Sequence, residues 1–257
     1  SGNAPLSPLE LTAHLYTRCG VSETDNDLKN ASEFFLDNKS PRDLIDILKQ
    51  NYSLSEVSKS HLSIVDIPWK RIYTTNYDDC IEVSAKKLKK NISPVVLSDR
   101  IDQYYDKRKL CIHLNGYIDR LGIDVLNDQF KLTNTSYLTT EFQKSGWVNL
   151  FRNDIQVSKS VIFIGFSLSG DLDLARVVSS VERKQNIAFI VKPSESLLQR
   201  TRLEKFGQVF DIGVDGFAEI VEKVRSKYEP EKDSPLILSS FNEIVLDSDP
   251  QKIHDID

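Results

Sequence analysis

Thr74-Thr75-Asn76-Tyr77-Asp78-Asp79 is a polar turn between a strand-like run, Arg71-Ile72-Tyr73, and a helix-like run from Cys80 to Lys90. Open α/β sheets bind ligands at such strand ends. Asn76 and Asp78 stand two apart, so an amide and a carboxylate can be aimed at one ligand. The same two residues suit a plainer task, since either can cap the helix that follows. A second cluster, Gly165-Phe166-Ser167-Leu168-Ser169-Gly170-Asp171, ends another strand-like run. Gly165 allows close backbone approach, Ser167 offers a hydroxyl, and Asp171 can accept from a ligand hydroxyl or cap the next helix. The third cluster is Cys111-Ile112-His113-Leu114-Asn115-Gly116. On a strand His113 and Asn115 share a face; His113 there is either a core residue or a titrating group.

Positioning these clusters requires a sheet. Short apolar runs at Ile72-Tyr73, Pro94 to Leu97, Leu110 to Leu114, Ser160 to Phe166, Asn186 to Val191 and Gln208 to Ile212 read as strands. Ser160 to Phe166 has the unbroken apolar texture of a strand covered on both faces. Leu174, Val177, Val178 and Val181 recur at helical spacing, as do Phe217, Ile220, Val221 and Val224. Ahead of the first strand lie three amphipathic candidates, Leu9 to Cys19, Leu28 to Leu36 and Leu44 to Tyr52, with Ser40 and Pro41 suited to start the third. Alternation of this kind predicts an α/β fold: a Rossmann-like parallel sheet with helices on both faces and a helical N-terminal part.

Composition narrows the function classes. The chain has 257 residues, 28% of them charged, and a formal net charge of −5, so no global basic footprint for nucleic acid is present. Lys86, Lys87, Lys89 and Lys90 form a local basic run that reads as a solvated helix face. No run reaches the roughly 20 apolar residues of a membrane span, and no signal peptide is visible. The three cysteines make no CxxC pair, so neither a zinc ribbon nor a disulfide framework is expected; the expected setting is cytoplasmic. Methionine is absent even at position 1, which points to an internal, processed or shortened start. Residues 229–257, opening on a charged segment bounded by Pro230 and Pro235, read as a linker and the start of a further C-terminal region.

Taken in order, the three clusters resemble the SIR2 (sirtuin-like) family, and more closely its bacterial defence-associated, NAD-cleaving branch. TTNYDD resembles that branch's TTNYD motif. IFIGFSLSGDLD resembles its strand–G-[FY]-S-L-x-D motif, with one extra residue before Asp171. Trp69 to Tyr73 and Tyr137 to Trp147 are also in the style of the family. The resemblance covers roughly residues 1–228 and implies one NAD-binding domain. It implies that NAD is the substrate, with no metal, lying across the carboxyl ends of the strands before Thr74 and Ser167. It implies that Asn76 orients the nicotinamide ribose and the attacking water, and that Asp78 holds the carboxamide. Thr74 and Thr75 belong to the same motif, Thr75 standing where deacylases carry Gln. Gly165 and Ser167 would line the adenine-side ribose, and Phe166 and Asp171 are the cofactor-binding residues beside them. A homo-oligomer and a C-terminal sensor region are the implied partners.

Two departures from the family pattern stand out. Its glycine-rich loop, GAG-x-S, is represented at most by a tail, with Ser1 as its serine and Asn3 to Leu6, Pro5 included, leading into the first helix. Without those glycines a pyrophosphate loses backbone donors. The family's [KR]-L-H-G reads His113-Leu114-Asn115-Gly116 here, so Asn115 occupies the histidine position. Asn cannot take up a proton near neutral pH. A natural variant that uses His113, an inactive relative, and a substitution introduced to trap a bound state all fit. Deacylation is disfavoured, because deacylases of the family carry four zinc cysteines. An NAD hydrolase effector and a non-catalytic NAD or ADP-ribose-binding, oligomerising module remain.

Overall fold

The computed structural model describes residues 5–22, 25–104, 107, 109–126, 129–137, 141–166 and 172–227. Its helices and strands are, in chain order, α1 Pro8–Arg18, α2 Leu28–Asn38, α3 Pro41–Tyr52, α4 Lys59–Asp66, β1 Ile72–Thr74, α5 Cys80–Lys87, β2 Ser93–Val96, β3 Leu110–His113, α6 Asn134–Tyr137, α7 Glu141–Lys144, α8 Gly146–Val157, β4 Val161–Ile164, α9 Leu172–Ser179, β5 Ile187–Ile190, α10 Leu197–Glu204, β6 Gln208–Phe210 and α11 Gly213–Lys227. The chain divides into two compact units: Ser1–Ser58 with Val65–Asn153, and Lys59–Ile64 with Asp154–Asp257.

In the first unit β1 and β2 flank β3, all parallel, with Thr74 opposite His113 and Val96 opposite His113 on the other side. Every residue of β3 is buried, as a central strand must be. The helical N-terminal part supplies Leu11, Leu15, Phe35, Leu44 and Leu48, all at 1% exposure or less, to a core shared with Ile118, Leu126, Phe130 and Leu132. That core is an apolar clamp on the segment after β3. Local chemistry sets the helix starts. Ser7 accepts from the Glu10 backbone N–H while Glu10 reaches back to the Ser7 N–H, which closes a capping box on α1. Ser40 accepts from the Arg42 N–H ahead of Pro41, as the sequence predicts for α3.

In the second unit β4, β5 and β6 form a parallel sheet with β5 in the middle. β5 is the well-covered strand, whereas each residue of β4 is half-buried. The expectation that Ser160 to Phe166 is covered on both faces is therefore corrected. Among the described residues β4 pairs with β5. Both units are parallel α/β assemblies with helices around the strands, the fold class that the alternation of elements predicts. No helix among the described residues is long and apolar enough to cross a membrane.

Candidate active site

The first unit brings Thr74, Thr75, Asn76, Asp78, His113 and Asn115 to the carboxyl ends of β1 and β3. The pairing of these strands runs one step past β3, since the Leu114 N–H donates to the Thr74 carbonyl at 2.8 Å. Thr74 then folds back: its Oγ1 accepts from the Asn76 N–H at 3.1 Å. This turn leaves Asn76 exposed. Asp78 Oδ1 accepts from the Cys80 N–H at 3.0 Å. Asp79, not Asn76 or Asp78, holds the N-cap position of α5, yet its carboxylate makes no capping bond. It accepts instead from the Leu54 N–H at 2.7 Å, tying the motif to the segment after α3. Burial raises the Asp79 carboxyl above its ordinary value despite that bond.

Aromatic rings hold the turn from below. Tyr77 stacks on Phe130 at 4.4 Å between centroids, and its hydroxyl donates to the Lys131 carbonyl. Tyr52 meets Tyr77 edge-on at 6.4 Å and donates to the Leu6 carbonyl at 2.9 Å. The exposed Pro5 is thereby joined, through Leu6 and Tyr52, to the Asn76 turn. Burial first, and Asp78 second, push the Tyr52 hydroxyl up to about 12. The Cys80 thiol is likewise pushed up to about 12, first by burial.

β3 ends at His113, so Asn115 lies in the bend beyond it and not on the strand beside His113, as the two-residue spacing predicts. Asn115 is 6% exposed. Its Nδ2 donates to the Thr75 carbonyl at 3.3 Å, and its Oδ1 is buried without a partner among the described residues. A buried amide oxygen with no donor is costly, and a water or a ligand group is the ordinary remedy. His113 is fully buried. Its Nδ1 lies 3.4 Å from the Asn76 carbonyl and its Nε2 3.0 Å from Glu82 Oε1 and 3.6 Å from Cys111 Sγ. Tyr117 covers the imidazole at 4.3 Å between centroids. Burial, reinforced by Glu82, raises the Cys111 thiol well above its ordinary value and raises the Tyr117 phenol too.

Glu82 is the residue that sequence reasoning missed. Its signal was indirect: Cys111 and His113 are two polar residues on one face of an otherwise apolar strand, and such a pair asks for a polar partner. The ligand atoms of Glu82, Cys111 and His113 lie within 4.8 Å of one another, so these three are also the described residues that could hold a metal ion.

In the second unit Gly165 follows β4 with φ +67, exposed, and a Cβ there would meet nothing within 4 Å. Its N–H donates to the Ile190 carbonyl at 2.9 Å. Phe166 stacks on Phe163 at 5.5 Å. Ser167, Asp171 and Ser1 lie outside the described residues.

Residues 70–208, over half of the chain, match the family described as SIR2-like domain. Among curated proteins, NAD(+) hydrolase ThsA of Cytobacillus dafuensis is similar, at 24% identity over 162 residues. The match covers 62% of this chain and 31% of that relative, so the chain spans about a third of the relative's length.

Proposed function

Since the chain belongs to the SIR2-like family, we propose that it is the NAD-cleaving module of a bacterial antiphage defence protein. The products are nicotinamide and ADP-ribose. One observation carries the reading. The Asn76-Asp78 turn stands at the carboxyl ends of parallel strands, directly beside a buried Asn115 whose amide oxygen has no donor among the described residues. The similarity to an NAD(+) hydrolase supports it. Asn76 orients the nicotinamide ribose and the attacking water, and Asp78 accepts from the carboxamide, with Thr74 and Thr75 shaping the turn. Cleavage breaks the bond between the ribose C1′ and the nicotinamide nitrogen, and the electron pair leaves with nicotinamide. Water adds to C1′ and gives up a proton. Polar groups fixed where positive charge develops lower that barrier. The chain acts in the cytoplasm, as a homo-oligomer, attached to a C-terminal sensor region, without membrane or direct nucleic-acid contact.

A second reading has its own support. Asn115 stands where the family pattern carries histidine, and an amide takes up no proton. The chain would then be a non-catalytic NAD or ADP-ribose-binding, oligomerising module. Both readings require nucleotide binding, so calorimetric titration with NAD and with ADP-ribose tests them together. Saturable binding, weakened by Asp78→Ala, is expected. Absence of binding to either nucleotide sinks both.

A further inference from the structure

We propose that Glu82, Cys111 and His113 form a zinc site that ties α5 to β3. The proposal is argued from the donor atoms and does not depend on the NAD-cleaving reading. It is unlike the four-cysteine zinc site of the deacylases, which a chain with three cysteines cannot build. His113 Nε2 stands 3.6 Å from Cys111 Sγ and 3.0 Å from Glu82 Oε1. Zinc bonds of about 2.3 Å to sulfur and about 2.0 Å to nitrogen, meeting at a tetrahedral angle, set those two donors about 3.5 Å apart. Nitrogen and oxygen donors fall about 3.4 Å apart by the same geometry. A small turn of the Glu82 carboxylate takes up the difference from 3.0 Å.

A second observation separates zinc from a simpler arrangement. One proton shared between the Glu82 carboxyl and His113 satisfies the 3.0 Å contact and no more. It leaves Glu82 Oε2, buried without a partner among the described residues, still unmet. A zinc ion takes both carboxylate oxygens, so Sγ, Nε2, Oε1 and Oε2 make a set of four donors. The far side of the imidazole agrees. Its Nδ1 faces the Asn76 carbonyl at 3.4 Å. Metal-bound histidines donate their other ring N–H to such a carbonyl, which turns the Nε2 lone pair to the metal.

Charge and burial fit the same ion. The dication is matched by one carboxylate and one thiolate, so the buried site is neutral as a whole, as burial demands. Burial raises the Cys111 thiol well above its ordinary value. Zinc displaces the thiol proton, which passes to solvent as the sulfur bond forms. A sulfur and an imidazole nitrogen select zinc over magnesium or calcium, which prefer oxygen. Cys111 and His113 are fully buried whereas the Glu82 side chain is 14% exposed, so the ion enters from the Glu82 side. Once bound, it fixes the ring that meets the Asn76 carbonyl, and its role is structural.

The test uses the whole 257-residue chain. Incubated with zinc sulfate and freed of excess, it should carry one zinc per chain by elemental mass spectrometry. X-ray absorption at the zinc edge should show one sulfur at about 2.3 Å among nitrogen and oxygen donors. Loss of a group outside the donor set already costs about 10- to 100-fold in metal affinity, so Glu82→Gln and Cys111→Ala should each weaken zinc binding by at least about 100-fold. Cys19→Ser and Cys80→Ser should leave it unchanged. Added zinc should raise the melting temperature of the unmutated chain and not that of Cys111→Ala. A chain that takes up no zinc overturns the proposal and leaves a shared proton as the bond between Glu82 and His113. Zinc bound without sulfur overturns it too, as does uptake that survives in both Glu82→Gln and Cys111→Ala. If either variant fails to fold by circular dichroism, the absorption spectrum of the unmutated chain decides alone.

Discussion

Gly116→Ala should destabilise the chain by about 2–5 kcal/mol and displace the aromatic support under Asn76. Gly116 follows Asn115 at φ +107, a backbone that L-residues rarely adopt. Forcing a side chain into positive φ costs roughly 1–2 kcal/mol. A Cβ at this position would also lie 2.6 Å from Phe130 Cδ2 and 3.1 Å from the Phe130 Cα. The backbone atom cannot swing aside as a side-chain end can. Overpacking of this kind adds about 1–3 kcal/mol, a large share of the roughly 5–15 kcal/mol that stabilises a typical domain. Phe130 is the ring on which Tyr77 stacks, so the strain passes to the Asn76 turn. Gly20→Ala is the control: Gly20 sits at φ +78 just past α1, where a Cβ would meet nothing within 4 Å. It should show the conformational cost alone, about 1–2 kcal/mol. Urea unfolding of both variants, followed by circular dichroism, measures the difference. If Gly116→Ala is no worse than Gly20→Ala, the Phe130 contact does not constrain the turn and the packing argument is wrong.

Three further outcomes are expected. In the Asn115→His background, Asn76→Ala should abolish nicotinamide release yet unfold within about 1 kcal/mol of its parent, because the exposed side chain leaves little packing to lose; release as fast as by Asn115→His alone would remove Asn76 from the site. Burial raises the folded-state carboxyl of Asp79 above its ordinary 3.8. The folded chain therefore binds the extra proton, and stability falls as pH rises from that value through the raised one. Asp79→Asn should lack this decline in urea titrations at stepped pH, and an identical pH profile would show that Asp79 is not perturbed. Tyr52→Phe removes the bond to the Leu6 carbonyl, should cost about 1 kcal/mol, and should speed amide exchange at the start of α1. Unchanged exchange would mean that Tyr52 does not anchor Pro5 and Leu6.

Much of the fold was legible because apolar runs and their spacing track burial directly. All six strands fall on the runs read as strands, and α1, α2, α3, α9 and α11 fall on the helical spacings. α8 escaped although Trp147, Val148, Phe151 and Ile155 give it such a stripe; α10 and α4 escaped because they have none. α10 exposes Leu197 at 80% and Leu198 at 84%, with Leu203 its buried residue, so its apolar positions trace no face. α4 buries only Val65. The half-burial of β4 is not legible in its unbroken apolar run. At the site, Asn76, Asp78, His113 and Asn115 were readable as polar residues at strand ends. Their partners were not. Glu82 meets His113 from a helix 31 residues earlier in the chain, and Thr75 offers Asn115 a backbone carbonyl that any residue would supply. The bend that takes Asn115 off β3 depends on the positive φ of Gly116, which the strand periodicity overlooks.

Nicotinamide release by Asn115→His, compared with the unmutated chain under saturating NAD, tests the central claim most directly. General-base assistance is worth roughly 10²- to 10⁴-fold. A gain of that order, lost again when Asn76→Ala is added, is the predicted result. An Asn115→His variant that binds NAD and stays silent would contradict the hydrolase account and leave a nucleotide-binding module. Fast release by the unmutated chain, abolished by His113→Ala, would contradict it differently, by making His113 the base.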